Sequence, residues 1–232
     1  MGICCSDNRL KFQKSKVKRK VTVNHTEIQV VQGEITSELT TAIVNSSNPT
    51  LTLGGGGVAN KVLIRGGVSI QRECYSYVQN NGNAKVGQVV ATEAGQLPCE
   101  YILHAVGPIY SDGKNGEIDF MHQVVKRVFE LAEELSLESI SIPGISTGIY
   151  NFPRSKCAKI TYQEIKKFLI NNPKTKLKLI RIVNPDTPLC HYFEEEFDKL
   201  GWGISPVVTL DFFKTEKTRT TQLKVEDSPN DK

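Results

Sequence analysis

The stretch Ala42-Ile43-Val44-Asn45-Ser46-Ser47-Asn48-Pro49, followed by Gly54-Gly55-Gly56-Gly57-Val58, decides the fold. A short apolar run that turns polar and then opens into glycines reads as a buried strand delivering a loop to the edge of a sheet. The pattern returns as Ser141-Ile142-Pro143-Gly144-Ile145-Ser146-Thr147-Gly148-Ile149-Tyr150. Glycines let backbone N–H groups approach an anion closely, and a following helix N-terminus favours negative charge. Two such loops suit the two phosphates of one diphosphate. The first loop is not a Walker A loop, because Val58-Ala59-Asn60 stands where Gly-Lys-Ser/Thr is required. Its glycine spacing also departs from the dinucleotide-binding fingerprint.

Working outward, strand-like and helix-like segments alternate. Val21–Asn24, Glu27–Gln32, Thr41–Ser46, Gln88–Glu93, Tyr101–Val106, Ser139–Ile142 and Leu179–Val183 read as strands. Ala59–Arg65, Ile70–Gln79, Ile118–Leu135, Ser155–Leu169 and Tyr192–Leu200 read as helices, the third carrying a clear apolar stripe. The alternation predicts a three-layer α/β/α sandwich with a mixed central sheet. The expected organisation is an N-terminal tail over 1–20, one domain over 21–200, and a largely disordered C-terminal extension over 201–232.

Charge separates these regions. The 232 residues carry +4, from 29 Lys and Arg against 25 Asp and Glu. Residues 1–20 hold seven basic residues and one acidic residue, a net +6, which leaves the other 212 at −2. The body therefore has no basic field for a nucleic-acid groove, and no specific nucleic-acid partner is expected. No apolar run is long enough to span a bilayer. Six scattered cysteines without a histidine cluster read as free thiols, with no metal and no cofactor expected. His104 reads as a packed, hydrogen-bonded side chain.

The chain starts Met1-Gly2-Ile3-Cys4-Cys5-Ser6. Gly2 with Ser6 fits N-myristoylation. One myristoyl chain binds a membrane marginally, so a second signal is required. Cys4 and Cys5 are candidate palmitoylation sites, and the basic run Arg9–Lys20 would attract an anionic membrane. The expected location is the cytoplasmic face of a membrane, otherwise the cytosol.

Several segments together resemble the macrodomain family, the ADP-ribose-binding α/β/α module. They are Val31-Gln32-Gly33-Glu34-Ile35-Thr36, Ala42–Asn48 with Gly54–Val58, and Gly87–Thr92. They continue with Gly95-Gln96-Leu97-Pro98, His104-Ala105-Val106-Gly107-Pro108, and Gly144–Tyr150 with Phe152-Pro153, in the family's order. The resemblance implies that Glu34, with Ile35 beside it, meets adenine. It implies that Asn48 orients the distal ribose and supports hydrolysis, with Asn45 in the same strand end. Gly55, Gly56, Gly57 and Val58 would wrap the distal ribose and one phosphate. Ser146, Thr147, Gly148 and Ile149 would hold the diphosphate, and Tyr150 would cover the distal ribose.

Three positions depart from the family pattern. Glu34 replaces an aspartate, Ala59 stands where one hydrolase subgroup has an aspartate, and Asn184 stands where some members stack an aromatic on adenine. The resemblance implies either an ADP-ribosyl hydrolase, acting on mono-ADP-ribose linked to acidic side chains or on related esters, or a non-catalytic reader of ADP-ribose or ADP-ribosylated protein. A monomer is expected.

Overall fold

In the central strands both faces of the sheet are apolar, and this sets the architecture. The computed structural model describes residues 15–200. Its strands are β1 (Lys16–Val23), β2 (Thr26–Gln32), β3 (Ala42–Ser47), β4 (Val89–Glu93), β5 (Tyr101–Val106), β6 (Ser139–Ile142) and β7 (Leu179–Asn184). Its helices are α1 (Gly57–Gly66), α2 (Val68–Asn81), α3 (Glu117–Glu134), α4 (Arg154–Asn171) and α5 (Thr187–Lys199). The strands form one sheet in the order β1-β2-β7-β6-β3-β5-β4. The five inner strands are parallel; β1 and β4 are antiparallel edges.

Alternate residues of β2, β3, β5 and β7 feed two cores, and β6 feeds the first through Ile140 and Ile142. Val30, Val44, Leu103, Ile142 and Ile182 pack with Val124, Val128, Ile165 and Phe193 of α3, α4 and α5. Val31, Ile43, Ile102 and Val183 pack with Val62, Ile70 and Cys74 of α1 and α2. Burial on both faces is why β3 and β5 open on adjacent apolar residues, Ala42–Val44 and Tyr101–Leu103. The rings of Phe129 and Phe168 stack with centroids 5.2 Å apart, joining α3 to α4. The buried Tyr162 hydroxyl donates to the Phe193 carbonyl at 3.0 Å, joining α4 to α5. The expected sandwich is thus observed.

Most boundaries fall within two residues of expectation, and two differ by five. The first strand begins at Lys16, not Val21. Lys16, Lys18, Arg19 and Lys20 therefore belong to the domain, as an edge strand bulged between Val17 and Arg19. Charge on an exposed edge hides the strand from an apolar-pattern reading and also discourages edge-to-edge pairing. Arg19 is held by Asp198 at 3.0 Å and Glu194 at 3.0 Å on α5. Among residues 1–14 the basic side chains are Arg9, Lys11 and Lys14, with Asp7 acidic, so the stretch before the domain carries +2 rather than +6.

The last helix begins at Thr187, five residues before the expected start. The Asp186 side chain accepts from the Leu189 N–H at 2.6 Å, and Pro188 fits the first turn, where a missing N–H costs nothing. The lipidation candidates Gly2, Cys4 and Cys5 and the extension from 201 lie outside the described residues.

Candidate functional site

The loops after β3 and β6 leave the sheet in opposite directions. From β3 the chain runs through α1 and α2 on one face; from β6 it runs through α4 on the other. Adjacent parallel strands whose connections diverge leave a crevice beyond their carboxyl ends. Both glycine loops flank that crevice. The Ser146 N–H donates to Ser46 Oγ at 3.1 Å, fixing one loop to the strand that carries the other.

In the first loop, Gly54, Gly55, Gly56 and Gly57 are exposed, and an added Cβ at any of them would meet nothing within 4 Å. These glycines are not required by packing. Gly56 has φ +93 and is the N-cap of α1, without a side-chain cap. The N–H groups of Gly57, Val58 and Ala59 thus open the helix with no side-chain acceptor, the arrangement that favours an anion. Before the loop, Asn48 Nδ2 donates to the Thr52 carbonyl at 2.9 Å. Its Oδ1 accepts from Thr50 Oγ at 2.7 Å and from the Thr52 N–H at 3.1 Å. The amide is thereby oriented, with one Nδ2 proton left over.

In the second loop, Asn151 N–H donates to the Gly148 carbonyl at 2.9 Å and Phe152 N–H to the Ser146 carbonyl at 3.0 Å. Gly148 and Ile149 are exposed, and a Cβ on Gly148 would also meet nothing within 4 Å. Ser146 holds φ +59, a left-handed conformation costly for a serine. It is pressed against Gly107, where a Cβ would lie 2.2 Å from Ser146 Oγ. Tyr150 is half-buried; burial raises its hydroxyl pKa, so it stays protonated at neutral pH.

At the far end of the crevice, Glu34 caps the short 3-10 turn Ile35–Ser37. Its Oε2 is paired with Lys61 of α1, and Arg65, one turn on, donates to Thr36 Oγ at 2.9 Å and Ser37 Oγ at 2.7 Å. Asn184, at the end of β7, is buried; its Oδ1 accepts from the Gly144 N–H at 2.9 Å and so anchors the second loop.

Asn45 is also buried. Its Nδ2 is 3.1 Å from His104 Nδ1, and His104 Nε2 is 2.9 Å from Thr92 Oγ. Thr92 donates onward to the Glu93 carbonyl, so His104 carries its proton on Nε2. Burial holds the His104 pKa down to about 4, so the ring is neutral and structural. Cys74, Cys99, Cys157 and Cys190 are free, and burial pushes Cys74 and Cys157 up to about 12, which removes them as nucleophiles. Three buried polar atoms have no partner among the described residues: Asn45 Oδ1, Ser146 Oγ and Asn184 Nδ2. Each such atom costs about 1–3 kcal/mol, and all three belong to β3, β7 or the second loop, the elements that end at the crevice.

Comparison with known proteins accords with this geometry. The Macro domain family model matches residues 44–161. The chain belongs to the macro domain family. O-acetyl-ADP-ribose deacetylase 1 of Pantoea vagans is 40% identical over 146 residues, 63% of this chain and 85% of that protein. An uncharacterized Thermotoga maritima protein is 39% identical over 79% of this chain, which spans only 30% of that protein's length. Among solved structures, the Oceanobacillus iheyensis macrodomain with ADP superposes with a TM-score of 0.76 at 30% identity, covering 83% of this chain and 100% of that one. The Trypanosoma brucei macrodomain in complex with ADP-ribose gives 0.66 at 28% identity, covering 72% and 68%.

Within this macro domain, the expected residues fall into two groups. Asn48, Gly55–Val58 and Ser146–Tyr150 belong to the two loops at the crevice, and Glu34 and Ile35 belong to the turn after β2. Asn45 and Asn184 are buried behind the crevice and act first as braces, for His104 and Gly144. Asn184 offers no flat face for stacking. Sequence reasoning missed Lys61, Arg65, Ser46 and the Thr50–Thr52 cradle of Asn48. Lys61 and Arg65 were within reach, because an i, i+4 pair of cations on a helix that starts in the glycine loop shares one face.

Proposed function

We propose that this macro domain binds ADP-ribose in the crevice and hydrolyses mono-ADP-ribose from acidic side chains of proteins, or related ADP-ribose esters. The observation that carries the reading is the pair of diverging glycine loops beside an uncapped helix N-terminus. Amides of the first turn of α1 and of the exposed Gly148–Ile149 segment would meet a diphosphate from two sides. The names of the relatives support it: one is an O-acetyl-ADP-ribose deacetylase, and others were solved with ADP or ADP-ribose.

The chemistry is that of water replacing a carboxylate. Water attacks, the bond between ribose and acyl oxygen or within the ester breaks, and ADP-ribose and a free carboxylate leave. The loops supply no carboxylate pair to act as acid and base. Ala59 is buried in the first turn of α1, and Glu34 is engaged with Lys61. Catalysis then rests on positioning and on charge stabilisation by fixed amides. Asn48, held by Thr50 and Thr52, presents its free Nδ2 proton to the distal ribose or the water. Tyr150 covers the ribose as a neutral phenol.

The test is release of ADP-ribose from an aspartate- or glutamate-linked ADP-ribosylated protein by the pure chain. Release is expected, and Asn48→Ala is expected to lower turnover by about a hundredfold, the scale of one oriented polar group, while changing affinity less than tenfold. Binding without release at high protein concentration would make the chain a reader, a role favoured by the apolar Ala59.

We also propose that Gly2 is myristoylated, that Cys4 or Cys5 carries a second acyl chain, and that the protein sits on the cytoplasmic face of an anionic membrane. With the stretch before the domain at only +2, the second acyl chain matters more than charge. Intact mass from the native cell should show a myristoyl addition, and Gly2→Ala should move the protein from the membrane to the soluble fraction; an unmodified mass rejects the anchor.

A further inference from the structure

Lys61 faces Glu34 across the turn that follows β2, and the pair is not a simple surface bridge. The Glu34 side chain is 14% exposed and the Lys61 side chain 44%. Arg65 is spent on Thr36 and Ser37. Lys61 spends one ammonium proton on Glu34 Oε2 and keeps two others. Glu34 Oε1 has only a distant partner, the Thr36 hydroxyl at 3.4 Å. The carboxylate acceptor and the ammonium donor therefore stand side by side, each with capacity to spare.

We propose that Lys61 sets the base specificity of the site, making it tolerant of both 6-amino- and 6-oxopurine ligands. The proposal rests on the ADP-ribose reading above, with the base beside Glu34. Adenine presents an amino donor at C6 and an acceptor at N1. Hypoxanthine presents the reverse, an oxygen acceptor at C6 and an N–H donor at N1. A lone carboxylate satisfies the amino group but leaves a 6-oxo oxygen unpaired, and a site discriminates strongly only where a buried polar group is left without a partner. An acceptor and a donor side by side meet either edge by exchanging roles. Glutamate, one methylene longer than aspartate, gives the reach for that exchange.

The test is calorimetric titration of the full chain with ADP-ribose and with its hypoxanthine counterpart, IDP-ribose. The wild-type protein should bind the two within about tenfold of each other. Lys61→Met should shift the ratio towards ADP-ribose by about tenfold or more, the effect of one unpaired polar group, and Lys61→Arg should keep the wild-type ratio. A purely structural role for Lys61 would weaken both ligands alike, so a ratio shifted less than tenfold in Lys61→Met overturns the proposal. Wild-type protein that binds neither ligand rejects the ADP-ribose reading itself, whereas ADP-ribose binding with an unmoved ratio rejects only the role of Lys61.

Discussion

Gly55→Glu and Gly56→Glu should each lower the affinity for ADP-ribose by more than about a hundredfold, because a like charge brought against a bound anion costs several kcal/mol. Both positions lie in the loop that opens α1, and neither Cβ would meet protein within 4 Å. An added side chain therefore enters open space beside the crevice rather than the core. The two variants differ in backbone demand. Gly56 has φ +93, a region that costs an L-residue about 1–3 kcal/mol. Gly55 has no such requirement, so Gly55→Glu should retain the wild-type melting temperature while losing the ligand. Calorimetric titration with thermal melting separates the two effects, and retained affinity in Gly55→Glu would remove the loop from the site.

Gly95→Ala should destabilise the domain by about 3 kcal/mol, combining left-handed strain of 1–2 kcal/mol with forced movement of a packed segment. Gly95 has φ +59, and a Cβ there would lie 2.3 Å from the Gly66 carbonyl oxygen and 3.0 Å from Ser69 Oγ. The nearest atom is backbone and cannot swing aside. That carbonyl also accepts the Gln96 N–H at 2.9 Å, so the turn between β4 and β5 is sewn to the junction of α1 and α2. At about 2–4 °C per kcal/mol for a domain of this size, the melting temperature should fall by roughly 6–12 °C. Gly57→Ala is the control: its φ of +58 matches that of Gly95 but no atom lies within 4 Å, so it should show the strain without the clash. Equal losses in the two variants would mean that the close approach at Gly95 is relieved at no cost.

What was legible in the residues follows from burial. Strands β3, β5 and β7 are covered on both faces, so each is mostly apolar, broken by few polar residues such as His104 and Arg181. The two crevice loops announce themselves by glycine, because only small residues leave backbone amides open to a ligand. Strand β1 could not be read this way. It is an edge with Lys16, Lys18, Arg19 and Lys20 along it, and its partners are the β2 ladder and two acidic residues of α5. The start of α5 was hidden for another reason: Asp186 and Pro188 signal a helix start only once the chain is known to leave β7 at Asn184.

By itself the sequence determined the layered fold class, the two glycine loops and the family, since local periodicity and glycine placement encode each of them. Tertiary structure alone decided which polar groups are free to act. Glu34 meets Lys61 27 residues away, Asn184 braces Gly144 40 residues away, and Ser46 receives Ser146 100 residues away. These meetings are fixed by strand order and register, which no local pattern contains. They add an ammonium partner to the expected adenine acceptor Glu34 and a bracing bond to Gly144 to the expected ligand contact Asn184.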